Sequence, residues 1–224
     1  MRVLALGAHP DDLEIYAWAA LCAWVEMGAE LVLVVATDGA AGGKKPPVEL
    51  ARLRASEARA AAATLGTAPV FLGLPDGGLT TEPRLVPLLV ELVRDTVPDL
   101  VLSHAPNDYH ADHRALSAAA SHACGFAAPF LQMDTMNGTG FTPTHWVDAT
   151  PHWAAKCAAI RRHESQDPER FVTAAARQAA FRAGEANGPP EARAEAVRFE
   201  PRFPFADIRA LLPPAPPVLP VARR

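Results

Sequence analysis

Two clusters of histidine and aspartate follow two apolar segments of the chain. His9, Asp11 and Asp12 come directly after the run 3–7, and the sequence Tyr-His-Ala-Asp-His at 109–113 follows the run 99–103. Both runs have the length and composition of buried strands, and open α/β sheets bind ligands where such strands end. Imidazoles and carboxylates are zinc ligands and general acids or bases. The two clusters together predict a hydrolytic metal site.

The spacing within each cluster suits one metal ion. Pro10 favours the first turn of a helix, where acidic side chains are stabilised by the helix dipole. His9 and Asp12 can turn to one metal while Asp11 stays free, and one imidazole of the second cluster completes a set of two nitrogens and one oxygen. Three protein ligands leave a position for water, as in catalytic zinc sites. His110 and His113 are one helical turn apart, so one is a ligand and the other lies beside the open position, and Asp112 orients whichever imidazole it reaches.

Strands and helices alternate along the chain, which places both clusters at one edge of a sheet. Glycine and proline signals delimit the segments. The pattern predicts an α/β protein with a Rossmann-like, mostly parallel sheet, helices on both faces and the active site at the strand C-terminal edge. The predicted strands are 3–7, 31–36, 70–72, 99–103, 144–149 and 194–200, and the predicted helices are 11–27, 47–65, 83–95, 112–123, 151–165 and 168–183.

Length, charge and composition limit the class of protein. The chain has 224 residues, of which 50% are hydrophobic, so we expect one domain over 1–212 and a flexible proline-rich tail over 213–224. The net charge is −4 without a basic stripe, which argues against nucleic acid and an anionic membrane surface and favours a small-molecule substrate. The N-terminus lacks the pattern of a signal peptide, and we expect a cytoplasmic protein.

The paired motifs resemble the LmbE-like, or PIG-L, family of zinc-dependent N-acetylglucosaminyl deacetylases, which includes the GPI-anchor, mycothiol and bacillithiol deacetylases. The resemblance covers roughly residues 2–166. Within this range it includes the segments 74–77 and 163–166 as well as the two motifs. It implies that His9, Asp12 and His113 bind Zn²⁺, that Asp11 is the general base and that His110 is the electrophilic or acidic partner.

The same resemblance implies the substrate contacts. Arg54 and Asp76 are similar to residues that hold sugar hydroxyls in relatives, and Tyr109 stands where bacillithiol-type relatives carry a basic residue, on the aglycone side. The implied activity is removal of an acetyl group from an N-acetylated amino sugar in a small-molecule glycoside or natural-product intermediate. Relatives often assemble, so a homo-oligomer is one of the states that the sequence leaves open.

Several alternatives stay open at this point. Arg54 also suits an ion pair with Glu49 or Glu57 on an exposed helix face, and Asp76 suits a turn. We expect the Asp112 carboxylate to hold the His110 ring and favour its charged form. Two other functions remain possible on the same site: another metal-dependent amide or acyl hydrolase, and a catalytically silent sugar-binding relative. The remaining histidines are interpreted as surface or core residues, except that His163 is a candidate to line the pocket; these are His104, His122, His145, His152 and His163.

Overall fold

The computed structural model describes residues 1–220. The strands are Arg2–Gly7 (β1), Glu30–Thr37 (β2), Val70–Leu74 (β3), Leu100–Ser103 (β4), Phe130–Met133 (β5), His145–Asp148 (β6) and Ala194–Phe199 (β7). The α-helices are Asp12–Tyr16 (α1), Trp18–Glu26 (α2), Pro47–Ala62 (α3), Leu85–Thr96 (α4), Ala111–Cys124 (α5), Trp153–Arg161 (α6) and Pro168–Glu185 (α7). Within residues 1–220, no helix is both long and apolar enough to cross a membrane.

The strands form a sheet in the order β3-β2-β1-β4-β5-β7-β6. β1 to β5 pair in parallel, whereas β7 is antiparallel to both of its neighbours. The predicted fold class, an α/β protein with a mostly parallel sheet, is confirmed. The sequence interpretation missed β5, because a run of four residues that includes Gln132 is too short to show a period.

Alternate residues of the central strand enter two separate cores. Val3 and Ala5 pack with α2, α6 and α7 on one face, whereas Leu4 and Leu6 pack with α4 and α5 on the other. Successive side chains of a strand point to opposite faces, so a strand that is apolar at every position must be covered on both sides. The double covering leaves the loops at the strand ends as the place for a binding site.

The predicted helix 11–27 is broken at Ala17, where φ is −143°. A buried ion pair between Lys156 of α6 and Glu195 of β7 lies at the break. The Lys156 ammonium donates to the Ile15 carbonyl at 2.7 Å, and the Glu195 carboxylate accepts the N–H groups of Ala19 and Ala20 at 3.1 and 2.8 Å. Helix ends need partners for their free carbonyl and N–H groups. Lys156 and Glu195 supply those partners, and together they fix the angle at which α1 leaves the sheet edge.

The proline-rich segment runs along the surface of the sheet domain. The Asp148 N–H donates to the Pro214 carbonyl at 2.8 Å, and the Leu219 N–H donates to the Asn187 carbonyl at 2.8 Å. Residues 213–220 contain no helix or strand, and 221–224 lie outside the described residues. The division into a domain over 1–212 and a flexible tail stays a prediction.

Candidate active site

The two histidine and aspartate clusters meet at the C-terminal edge of the sheet. β1 and β4 are neighbours, so the loop after β1 and the loop after β4 face each other. A cavity of about 320 Å³ opens there, and residues of both clusters line it. The expected position of the site, at the strand C-terminal edge, is what the topology produces.

Three side chains, called the donor triangle below, place metal-binding atoms close together on the wall of the cavity. His9 Nδ1 lies 3.3 Å from His113 Nε2 and 3.4 Å from one oxygen of Asp12, whose other oxygen lies 3.3 Å from His113 Nε2. Four ligands about 2.0–2.1 Å from a tetrahedral zinc ion are separated by about 3.3–3.4 Å. The three side chains therefore fit the ligand set of such an ion, and the cavity beside them leaves the fourth position free for water or substrate.

The second nitrogen of His9 faces two carboxylates. Nε2 lies 3.1 Å from Asp76 and 3.3 Å from Asp112. The Asp112 carboxylate also accepts the N–H groups of Gly77 and Leu79, at 2.7 and 3.1 Å. The expectation that this carboxylate holds the His110 ring is therefore wrong, because the loop after β3 turns the carboxylate toward His9. The His110 ring contacts the backbone N–H of Asp112, at 3.2 Å, and not its carboxylate.

Asp108 is a site residue that the sequence interpretation missed. Its side chain is fully buried, with one oxygen 3.2 Å from His113 Nδ1, and its other oxygen accepts the His110 N–H at 2.8 Å. A carboxylate on the far nitrogen of a metal-binding imidazole fixes the ring and its tautomer. The available signal was its position two residues before His110 in a loop already assigned to the site.

His104 is the second residue whose place was not anticipated. It directly follows β4, has no exposed surface, and its ring stacks on His113 with centroids 3.8 Å apart. Nε2 accepts the Ala8 N–H at 3.1 Å and lies 3.1 Å from Asp12. Burial, followed by the charge of His113, lowers the pKa of His104 to about 4, so it is a neutral core histidine whose ring packs against the ring of His113.

Asp11 lies beside the donor triangle in a strained conformation. It immediately precedes α1 with φ 137°, which a non-glycine residue adopts at a cost of about 1–3 kcal/mol. Burial raises the pKa of Asp11 to about 6, against the lowering effect of the Arg54 guanidinium. The carboxyl group is thereby set to exchange a proton near neutral pH, as a general base requires.

Arg54 is held beneath the loop that follows β2. It is buried and lies 3.1 Å from the Asp11 carboxylate, so the alternative of an exposed ion pair with Glu49 or Glu57 is wrong. Its guanidinium donates to the carbonyls of Pro10 and Gly39, at 3.0 and 3.1 Å. A Cβ atom at Gly42 would lie 2.2 Å from Nη1, so only glycine lets the loop approach so closely. Nε is buried without a hydrogen-bond partner in the protein.

Two of the three remaining predicted contacts line the cavity. Asp76 lines the cavity, with one oxygen near His9 and the other accepting the Ala41 N–H at 3.0 Å. Tyr109 also lines it and is 66% exposed, at the entrance. His163 is buried outside the lining, 3.3 Å from Glu14, so its candidacy as a lining residue is not supported.

His110 caps the first turn of α5. Its Nδ1 accepts the Asp112 N–H, and burial, followed by the charges of His9 and His113, lowers its pKa. Both observations argue against the expected charged His110 and favour the neutral ring. In the neutral ring Nδ1 is the acceptor, so Nε2 carries the hydrogen.

The candidate ligands hold protons strongly when no metal competes. Burial alone would lower the pKa of His9, but hydrogen bonds to Asp112, Asp12 and Asp76 outweigh it and raise the pKa to about 12. The pKa of His113 is raised to about 9, again against burial, by the charge of Asp12 and the contact with Asp108. A metal must displace these protons, so its affinity should increase with pH.

Comparison with known proteins identifies the family of the chain. The sequence profile of the family described as PIG-L, GlcNAc-PI de-N-acetylase, matches residues 4–124, more than half of the chain. The diacetylchitobiose deacetylase of Thermococcus kodakarensis is 30% identical over 189 residues, which are 75% of this chain and 71% of that protein.

Solved structures share the fold. The N,N'-diacetylchitobiose deacetylase of Pyrococcus horikoshii, complexed with its inhibitor, is 25% identical with a TM-score of 0.78 over 92% of this chain and 88% of that one. A 4-carboxy-2-hydroxymuconate hydratase of Pseudomonas putida, 23% identical, has a TM-score of 0.76 over 90% of this chain and 97% of that one. The second likeness concerns the fold alone, since one fold hosts different chemistries. The profile and the deacetylase relative establish that the chain belongs to the GlcNAc-PI de-N-acetylase (PIG-L) family, as its two motifs predict.

Proposed function

We propose that the protein is a zinc-dependent hydrolase that removes the acetyl group from an N-acetylated amino sugar in a small molecule. The observation that carries this proposal is the triangle of His9, Asp12 and His113 with a free carboxylate, Asp11, beside it. The deacetylase relatives support the amide as the scissile bond. A sugar-binding relative without activity needs no buried base, which argues against that alternative.

Other groups of donors in the site are less suited to the ion. Three other sets have donor atoms that all lie within 4.8 Å of one another: His9-His110-His113, Asp12-His104-His113 and His9-Asp76-Asp112. In the second set, His104 Nε2 already accepts the Ala8 N–H. In the third, Nε2 of His9 faces two carboxylates, as an N–H donor does. The first set leaves out Asp12, whose carboxylate lies within 3.4 Å of both imidazoles.

Each residue then has a distinct part in the reaction. When bound, zinc acts as a Lewis acid on the substrate carbonyl and lowers the pKa of water. Ionised Asp11 accepts the proton from the attacking water, and the same group can return it to the departing amine. The Nε2–H of neutral His110 donates to the carbonyl oxygen as negative charge develops there. Asp108, Asp112 and Asp76 hold the two metal-binding imidazoles in place.

The sugar is proposed to lie over the loops after β2 and β3. Arg54 and Asp76 both line the cavity there, and a guanidinium and a carboxylate suit sugar hydroxyls. Tyr109, which lines the entrance, is also proposed to contact the substrate. A cytoplasmic location and a homo-oligomeric state remain predictions from the sequence.

The function is tested by following acetate release over a panel of N-acetyl amino sugars. We expect turnover by enzyme with about one zinc ion per chain, loss of turnover on chelation, and recovery when zinc is returned. His113→Ala should lower the zinc content sharply, whereas His122→Ala, a histidine of α5 outside the cavity lining, should leave zinc content and rate unchanged. Full zinc and full rate in His113→Ala would contradict the ligand assignment, and no acetate from any sugar would favour another amide hydrolase.

A further inference from the structure

The cavity has two chemically different halves on either side of the donor triangle. The polar half is formed by elements that follow β2 and β3, with Gln166 of the turn before α7 beside Gly42: Ala41, Gly42, Arg54, Asp76, Gly77 and Gln166. The apolar half is formed by side chains of α1, the loop after β4, the turn after β5 and the first turn of α7: Ile15, Tyr16, Tyr109, Met136 and Phe171. The sheet order is β3-β2-β1-β4-β5, so along the sheet edge the triangle at β1 and β4 lies between the loops that carry the polar residues and the turn that carries Met136.

The apolar half is a permanent part of the wall. Met136 and Phe171 pack against the buried core that includes Ile15 and Tyr16, so this surface is present before any ligand arrives. Its only polar side-chain atoms are two tyrosine hydroxyls. Sugar hydroxyls placed there would lose most of their hydrogen bonds with water, which is unfavourable. This half therefore suits a hydrocarbon group rather than a second sugar face.

The scissile amide decides which hydrocarbon group this is. Its carbonyl must lie at the metal, its nitrogen leads to the sugar, and its carbonyl substituent leads away from the sugar. With the sugar over the polar half, the substituent on the carbonyl points toward Tyr109, Met136 and Phe171. An aglycone is attached to the sugar itself and follows it toward the other side.

We propose that the apolar half is an acyl-chain subsite, and that the enzyme hydrolyses N-butyryl and N-hexanoyl amino sugars more efficiently than N-acetyl ones. This proposal rests on the proposed function. Hydrolysis breaks the amide C–N bond and forms a C–O bond to the oxygen of water; the products are the carboxylate of the acyl chain and the protonated amine. The same residues act for every chain length, and only the contacts of the chain differ.

The test compares glucosamine carrying an acetyl, butyryl or hexanoyl group, with the released amine measured for the zinc-loaded enzyme. Burying one methylene raises kcat/KM by up to about fourfold, so butyryl should exceed acetyl by roughly tenfold. Phe171→Ser and Met136→Ser should reduce this ratio to near one. Phe126→Ser, which removes a phenylalanine that is 77% exposed on the turn after α5, should leave it unchanged.

Two further arms keep the outcome decisive. Tyr109→Ser changes an exposed side chain that the core does not need, so a lower butyryl-to-acetyl ratio in this variant supports the subsite even if Phe171→Ser misfolds. The phenyl glycoside of N-acetylglucosamine measures the aglycone instead. A ratio of one or less in the wild type, a ratio that none of the three variants changes, or a gain for the phenyl glycoside alone would each overturn the proposal. No amine from any substrate would overturn the proposed function instead.

Discussion

Replacing Arg54 by glutamine should move the acidic limb of the pH profile to higher pH. The Arg54 guanidinium lies 3.1 Å from Asp11, and the two side chains are only 4% and 9% exposed. Burial raises the pKa of Asp11 to about 6, and the charge of Arg54 opposes that rise. An opposite charge at this distance lowers the pKa of a carboxyl group by about one to three units, so its loss should raise the pKa of Asp11 to between about 7 and 9.

The direction of this shift follows from the protonation state in which Asp11 acts. A general base must be ionised, and a higher pKa means that it stays protonated up to a higher pH. At pH 7 the ionised fraction should fall from about nine-tenths to about half or less. The rate at pH 7 should fall in proportion and recover as the pH increases. The acidic limb should therefore shift upward by about one to three pH units.

The assay is the pH dependence of kcat/KM for two substrates, an N-acetyl amino sugar and a simple acetamide without hydroxyls. A limb that shifts for both substrates reports on Asp11, because the simple acetamide makes no sugar contacts. Arg52→Gln on the exposed face of the same helix is the matched control and should leave the profile unchanged. An unmoved limb with a higher KM for the sugar alone would refute the argument and leave Arg54 as a sugar contact only.

Three other substitutions test separate parts of the structure. Asp11→Asn should retain zinc and lower kcat by about two to four orders of magnitude, as loss of a general base does; loss of zinc instead would exchange its role with that of Asp12. Asp108→Asn should weaken zinc binding by about 10- to 100-fold in a chelator competition, because the far nitrogen of His113 loses its carboxylate; an unchanged Kd would contradict this. Lys156→Met should lower the free energy of unfolding in urea by about 3–5 kcal/mol, since it leaves the Glu195 charge buried and unpaired, and the double variant with Glu195→Gln should recover part of the loss. Equal losses in the single and double variants would show that the pair is not coupled.

The sequence predicted the parts of the site that depend on local order along the chain. His9 and His113 follow strands that can be recognised from the length and apolar composition of their segments. Neighbouring parallel strands then bring the residues at their ends together. The contacts that link the two clusters were harder to predict, because some of their partners come from a third loop, the one after β3. The direction of the Asp112 carboxylate depends on the N–H groups of Gly77 and Leu79. No spacing between positions 77 and 112 reveals that contact.

The spacing of residues along the sequence also did not predict which side chains are buried. Arg54 lies in an Ala- and Glu-rich helix whose pattern is compatible with a solvated face, yet the glycine-rich loop 39–43 covers it. His104 looks like any histidine after a strand, and only its stack on His113 shows that it supports the site. The break at Ala17 likewise depends on distant residues, since α1 and α2 read as one helix when their partners are unknown.

The ion pair at that break affects the order in which the site is completed during synthesis. Every proposed ligand lies before residue 114, but Ile15 is held by Lys156, 141 residues later, and Ala19 by Glu195, 176 residues later. A nascent chain that ends near residue 124 contains both motifs without the side chains that hold α1 at its angle to α2. We therefore predict that most of the remaining chain must leave the ribosome before the three donors reach their final spacing, so that a metal ion would bind late in folding.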